Sequence, residues 1–178
     1  MKKFILLLSI GLLIGCQSGV ETTTNLKTNL ELASMYFNEI YNENKLDLID
    51  EIFIEDYSHT TTEGKKLNHR DELKEAIKRI KSLLPNLKTE IVESTVDDQK
   101  VMFLIKMESD LPEIANPNTK ATSIVFQETF IFWIQDDKIV KGRTSGSHLS
   151  FIKQASGFEG SVIDMIKTLT ECINNKNS

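Results

Sequence analysis

The sequence predicts an α+β domain in which helices cover one face of a curved antiparallel sheet. Two features point there. From Leu30 to Leu84 apolar residues recur at intervals of three and four, the period of amphipathic helices. After Pro85 the period becomes two and stays so to about Ser147, as in strands that bury one face. Helices first and strands afterwards give a segregated architecture, and 178 residues suit a single domain.

The chain begins with Lys2 and Lys3 ahead of an apolar run, Phe4 to Ile14, too short to span a bilayer and ending in small residues. This is the pattern of a secretory signal peptide over residues 1–15. Leu13-Ile14-Gly15-Cys16 resembles a bacterial lipobox, which implies cleavage before Cys16 and lipidation of that residue. Several acyl chains on one residue anchor stably without a spanning helix, whereas a single chain binds marginally. The expectation is a domain outside the cytoplasm, held to a membrane of the bacterial cell envelope through Cys16. Cleavage removes two Lys and no acid, so the mature chain is more acidic than the full chain with its net charge of -5. That excludes nucleic-acid binding through a general basic field. With Cys16 consumed, Cys172 is the remaining thiol, and its place on an apolar helix stripe predicts a small buried residue.

Residues 16–29 are mostly Thr, Ser, Asn and Gly, which predicts a flexible tether. Leu30, Leu32, Ala33, Phe37, Ile40 and Tyr41 then mark a helix running to about Asn44. Leu46, Leu48, Ile49, Ile52 and Phe53 suggest a short second helix, and Asp56 to Gly64 a polar connection. From about Arg70, Leu73, Ile77, Ile80 and Leu84 mark a charged helix that Pro85 stops; its basic residues form a solvated face. Strands follow from about Lys88 to Val96 and Lys100 to Ser109, joined by Asp97-Asp98-Gln99. After a loop holding Pro112 and Pro117, the strands Ser123 to Ile134 and Lys138 to about Ser147 flank Asp136-Asp137. Phe151 to Phe158 reads as a short apolar turn. Val162, Ile163, Ile166, Leu169, Cys172 and Ile173 mark a last helix. The domain thus spans 30–156, with a C-terminal helix and tail over 157–178.

The hairpin from Ile124 to Gln154 holds the chain's one Trp and the most suggestive carboxylate. Alternation along Ile124, Phe126, Glu128, Phe130, Phe132 and Ile134 puts Glu128 on the face of three Phe residues. If that face lines a pocket, apolar surroundings raise the carboxyl pKa, as general acid/base work requires. Alternatively Glu128 reaches water or pairs with Lys106 or Arg143 across the sheet. His59 sits in a Thr-rich polar stretch, either solvated or able to shuttle a proton to Glu128. Arg143 and Lys141 alternate with Ile139, and an inward Arg143 would favour an anionic ligand. The paired Asp residues are turn formers. No spacing for a metal site, phosphate loop or nucleophilic triad is present, so no metal and no cofactor are expected.

The order of YNENKLDLIDEIFIEDYSH, a helix ending at a Pro, ETFIFWIQDDKIVKG and SHLSFIKQ resembles the SnoaL-like polyketide cyclase branch of the nuclear-transport-factor-like superfamily, over about Leu30 to Ala155. The resemblance implies a cone of sheet and helices around an apolar cavity, with Phe126, Phe130, Phe132, Arg143 and Ser147 as candidate lining. It also implies His59 at the cavity mouth and the option of a homodimer through the sheet. Members typically carry a catalytic Asp seven residues before a Gln. Counting back from Gln154 gives Ser147, whose hydroxyl cannot take a proton at neutral pH as a carboxylate can. The leading expectation is therefore a membrane-anchored domain that binds a small apolar or amphipathic molecule. The alternative is a metal-independent cyclase, isomerase or hydratase with Glu128 as general base and His59 assisting.

Overall fold

The computed structural model describes residues 18–110, 123–146 and 148–176, so Cys16 and Ser147 lie outside the described residues. Helix α1 (Ser18–Met35) continues into a π-helical segment (Tyr36–Tyr41). The stretch expected to be a flexible tether is thus helical from Ser18. Its docking comes later, where Ala33, Tyr36, Phe37, Ile40 and Tyr41 are buried; once that nucleus is fixed, each added residue gains a backbone hydrogen bond.

Helix α2 (Leu48–Ile52) runs directly into strand β1 (Phe53–Thr60), where the sequence suggested a helix end and a polar connection. Phe53, Tyr57 and His59 of β1 are buried while Glu55 and Asp56 are exposed, so strict alternation is broken between them. A short β2 (Lys66–Leu67) and α3 (Arg70–Leu83) follow. His69 caps α3 by accepting the Asp71 N–H at 3.1 Å, and the stripe of Leu73, Ile77 and Leu84 is buried. Then come β3 (Lys88–Val96), β4 (Lys100–Asp110), β5 (Ser123–Gln135), β6 (Lys138–Gly146), α4 (His148–Ser156) and α5 (Val162–Lys176).

The six strands form one open sheet in the order β2-β1-β6-β5-β4-β3. The neighbours are antiparallel except β1 and β6, which pair in parallel, so the sheet is mixed where an antiparallel one was expected. Register shifts within β3 and β6 bend it, and the helices pack against its inner face. Asp136 and Asp137 both have positive φ, 50° and 55°, as the tight β5–β6 hairpin turn requires. Asp97 accepts the N–H groups of Gln99 and Lys100 at 3.0 and 2.8 Å in the β3–β4 turn. Among the described residues no group of three or more potential metal ligands occurs.

The bulge in β6 decides which residues face inward. Ile139 stands opposite Ile134 and Lys141 opposite Trp133, leaving Val140 as the extra residue. Beyond it Gly142 and Thr144 face the core, whereas Lys141 and Arg143 face out, with Lys141 Nζ 4.9 Å from the centre of the Trp133 ring. The core is an edge-to-face aromatic cluster of Tyr36, Phe37, Phe53, Phe103, Phe130 and Phe132.

The segment expected to be a turn after β6 is helix α4. Its anchor is Gln154, whose side-chain oxygen accepts the Val125 N–H at 2.9 Å and whose amide nitrogen donates to the Val125 carbonyl at 2.7 Å. β6 has ended by then, opposite Glu128, so the Gln154 amide takes the place of a strand neighbour. α5 packs against α4, and along its apolar stripe Met165 is buried while Ile163, Ile166, Leu169 and Ile173 are exposed. Cys172 is exposed too, contrary to the buried position its stripe suggested.

Candidate functional site

A cavity of about 460 Å3 lies between α3 and the inner face of the sheet. One wall is apolar: Leu73, Ala76, Ile77, Ile80, Leu83 and Leu84. The other carries the polar groups, with Glu128 from β5, Thr144 from β6 and His59 from β1, among Met107, Phe126 and Phe130. Tyr36 and Tyr41 also line the cavity, their rings edge to face at 5.2 Å. They stand at opposite ends of the π-helical segment, whose bonding to the fifth residue lets both side chains reach one face. Burial pushes both phenols up, Tyr41 to about 12, so they are neutral hydroxyls at physiological pH.

Glu128 is the polar centre. Its side chain is 12 % exposed, and Oε1 lies 3.4 Å from His148 Nε2. The other ring nitrogen of His148, Nδ1, lies 2.8 Å from Glu63 Oε1. Only a doubly protonated imidazole can donate to both carboxylates. Burial raises the Glu128 pKa, and the neighbouring Glu63 adds to this, while the charge and hydrogen bond of His148 oppose it. Glu63 is held low, first by the Thr61 hydroxyl that donates to its Oε2 at 2.9 Å. Glu128 can lie flat over β6 because Gly146 faces it; a Cβ there would sit 2.6 Å from Glu128 Cγ.

A second polar group sits alongside. His59 is buried with Nδ1 2.8 Å from the Tyr57 hydroxyl and Nε2 2.8 Å from Thr144 Oγ1. Burial lowers its pKa to about 4, leaving a neutral imidazole at physiological pH. Gly142 makes room for this pair, since a Cβ there would overlap the Tyr57 hydroxyl and approach His59 Nδ1 to 2.5 Å.

The expected site residues are therefore only partly brought together. Glu128, Phe126, Phe130 and His59 line the cavity. His59 does so from a strand and within the core, neither solvated in a loop nor paired with Glu128. Phe132 is fully buried in the aromatic cluster and does not line the cavity, because the cavity stops one inward position short of it. Arg143 is exposed on the outer face, turned there by the β6 bulge, and neither it nor Lys106 pairs with Glu128; Lys106 joins Glu90 and Glu108 instead. Ser147 and Cys16 lie outside the described residues.

Sequence reasoning missed, among other lining residues, His148, Glu63, Tyr36, Tyr41 and Thr144. His148 opens α4. The spacing of Leu149, Ile152 and Phe151, Ala155 carried that helical signal.

The SnoaL-like domain family matches residues 34–142 of the chain, and no curated protein sequence matches it. Among solved structures it is similar to a protein described as a SnoaL-like polyketide cyclase from Jannaschia sp. CCS1, with TM-score 0.64 and 12 % identity over 75 % of this chain and 94 % of that one. A protein described as a polyketide cyclase from Bacillus cereus gives TM-score 0.61 and 19 % identity over 72 % and 80 %. An LEH-like epoxide hydrolase from M. tuberculosis gives TM-score 0.57 and 12 % identity over 76 % and 91 %. These likenesses establish a shared fold, a curved open sheet with helices against one face. With the family match running from α1 to the inward-facing Gly142 of β6, the chain belongs to the SnoaL-like domain family.

Proposed function

We propose that the cavity binds a small apolar or amphipathic molecule, its apolar side against α3 and its polar side against Glu128, Thr144 and His59. The observation that carries this is the cavity itself, about 460 Å3 with an apolar wall facing a wall of three polar side chains. The bicyclic hydrocarbon tetralin tests it by NMR titration of the folded domain. Binding is expected, and Ala76→Phe, which fills the cavity from α3, abolishes it while leaving the remaining spectrum intact. Tetralin binding that survives Ala76→Phe overturns the reading.

A second reading, an acid/base enzyme of the cyclase, isomerase or hydratase type, is favoured by the contact between Glu128 and His148. A carboxyl whose pKa is raised by burial and which touches a titratable imidazole is equipped to take and return a proton. His148 occupies the neighbourhood where Ser147 left the expected general base wanting. Deuterium incorporation next to the carbonyl of 1-tetralone, followed by NMR, reads proton abstraction directly. Glu128→Gln should lower it by about 100-fold or more. Exchange unchanged in that variant removes Glu128 from the chemistry.

The lipobox and the charged, apolar start support carrying this domain on a lipid anchor at Cys16, outside the cytoplasm. Among the described residues no helix is long and apolar enough to cross a membrane.

A further inference from the structure

The two ends of the sheet differ in chemistry, and α1 leaves from one of them. Asn29 of α1 is buried, and its side-chain amide donates to the Asp98 carbonyl in the β3–β4 turn at 3.2 Å. Farther along the chain, the Asn42 side chain bonds both the N–H and the carbonyl of Thr89 at 2.8 Å, near the start of β3. The helix is thus pinned along β3 at two points. The eleven residues from Ser18 to Thr28 continue its line past the turn, by roughly 16 Å at 1.5 Å per residue. Val20 and Leu26 are their sizeable apolar side chains, which leaves no stripe with which α1 could lie in a lipid interface.

The cavity opens at the other end. Its exposed lining residues include Glu63, just after β1, Leu83, just before β3, and His148, just after β6. Along β5, Phe126 at the cavity is seven residues from Trp133, which stands opposite Lys100 beside the β3–β4 turn, a span of roughly 24 Å at 3.4 Å per residue. The turn end is acidic. Asp97, Asp98, Asp136 and Asp137 are exposed there, in two turns joined by the Ile134 N–H donating to the Gln99 carbonyl at 2.8 Å. Two lysines flank them: Lys100 Nζ is 3.9 Å from Asp97, and Lys138 donates to the Glu51 carbonyl. A lipid surface carrying negative charge repels such an end.

We propose that α1 is a rigid stalk joining the anchor at Cys16 to the acidic end, so that the cavity opens away from the membrane and takes its ligand from the aqueous space. This rests on the ligand-binding reading and the Cys16 anchor above, and names the source of the ligand. One residue separates Cys16 from Ser18, too short a link for the domain to turn over. Stalk and sheet together set the cavity's polar wall roughly 40 Å from the lipid surface, too far for a molecule still seated in lipid to enter. A ligand must first be in water, which favours a small amphipathic molecule over a membrane lipid.

Energy transfer from the protein to labelled lipid tests this. The acylated full-length chain, with Cys172→Ser to remove the exposed thiol, carries a donor dye at Gln99→Cys in the turn or at Lys65→Cys beside Glu63, both exposed positions. Each form is bound to phosphatidylcholine vesicles containing a rhodamine-labelled phospholipid. The dye at residue 99 should be quenched strongly and the dye at residue 65 several-fold less. Equal quenching, or stronger quenching at residue 65, overturns the proposal. Thr24→Pro, which breaks α1, should shrink the difference; a difference that survives it removes the stalk as the cause and overturns the proposal too. If the acylated chain does not bind vesicles, the anchor fails and the proposal with it. If tetralin does not bind the folded domain, the ligand-binding reading fails and the proposal falls with it, whatever the dyes report.

Discussion

Gly146 leaves the space that Glu128 fills: the carboxylate lies across the strand where a Cβ would come within 2.6 Å of its Cγ and 3.0 Å of its Oε1. Gly142, four residues earlier on the same face, does the same for Tyr57 and His59. The two glycines bracket Thr144 and admit side chains from the strands on either side.

The two positions should respond differently to a methyl group. In Gly146→Ala the obstructed group is a partly exposed side chain that can swing away, so stability should change by less than about 1 kcal/mol while the Glu128 contact to His148 is lost. In Gly142→Ala the obstructed group is a fully buried Tyr locked in the aromatic cluster, and a loss of about 1 to 3 kcal/mol is expected. Urea unfolding of both variants checks the difference; equal losses would contradict it.

The pH dependence of stability should carry two opposed contributions. Burial takes the His59 pKa from 6.5 to about 4, so between those values the unfolded chain binds a proton that the folded chain refuses. Stability therefore falls as pH falls through that interval, by on the order of 3 kcal/mol at most. Glu128 acts oppositely. Its folded pKa is raised, so its contribution is complete below the unfolded carboxyl value near 4.5 and is lost as pH rises through the folded value. His59→Gln should flatten the loss on lowering the pH and Glu128→Gln the loss on raising it. Unfolding curves that keep the same pH profile in both variants would contradict these assignments.

Gln154 should hold α4, and with it His148, in place. Gln154→Leu removes both bonds to Val125 and should cost about 1 to 2 kcal/mol of local stability. The expected signature is faster amide exchange along α4 and at the start of β5, with the aromatic core unchanged. Uniform acceleration across the domain would show that Gln154 serves the fold as a whole instead.

Lipidation at Cys16 predicts that the full-length protein partitions with membranes and that Cys16→Ser releases it. Detergent-phase partitioning of the two forms, with acyl labelling of the wild type, decides the matter; unchanged partitioning of the variant would refute the anchor.

The helices between Leu30 and Leu84, the last helix and the four strands after Pro85 were legible because each carries a clear period; α4 was not, its apolar residues being read as a turn. β1 was not: Glu55 and Asp56 interrupt it, its partner β6 is distant in sequence, and parallel pairing leaves no local turn to read. Glu128 declared itself as a carboxylate among Phe residues, and its burial follows from simple alternation. Arg143 was misplaced because one bulged residue reversed the alternation on which its placement depended. His148 was missed because it stands where β6 has ended and α4 begins, in a stretch that the sequence suggested was strand and then turn.

That bulge also sets the sign of the charge inside the cavity. Paired residue for residue from Ile139, β6 would turn Lys141, Arg143 and Ser145 inward and Gly142 and Thr144 outward. Two cations would then stand beside the positions of His59 and Glu128, the carboxylate would be neutralised, and the enclosure would suit an anion. Val140, a residue with no chemistry of its own, keeps the interior free of fixed positive charge from β6, so that no cation on that strand offsets the rise that burial gives the Glu128 pKa.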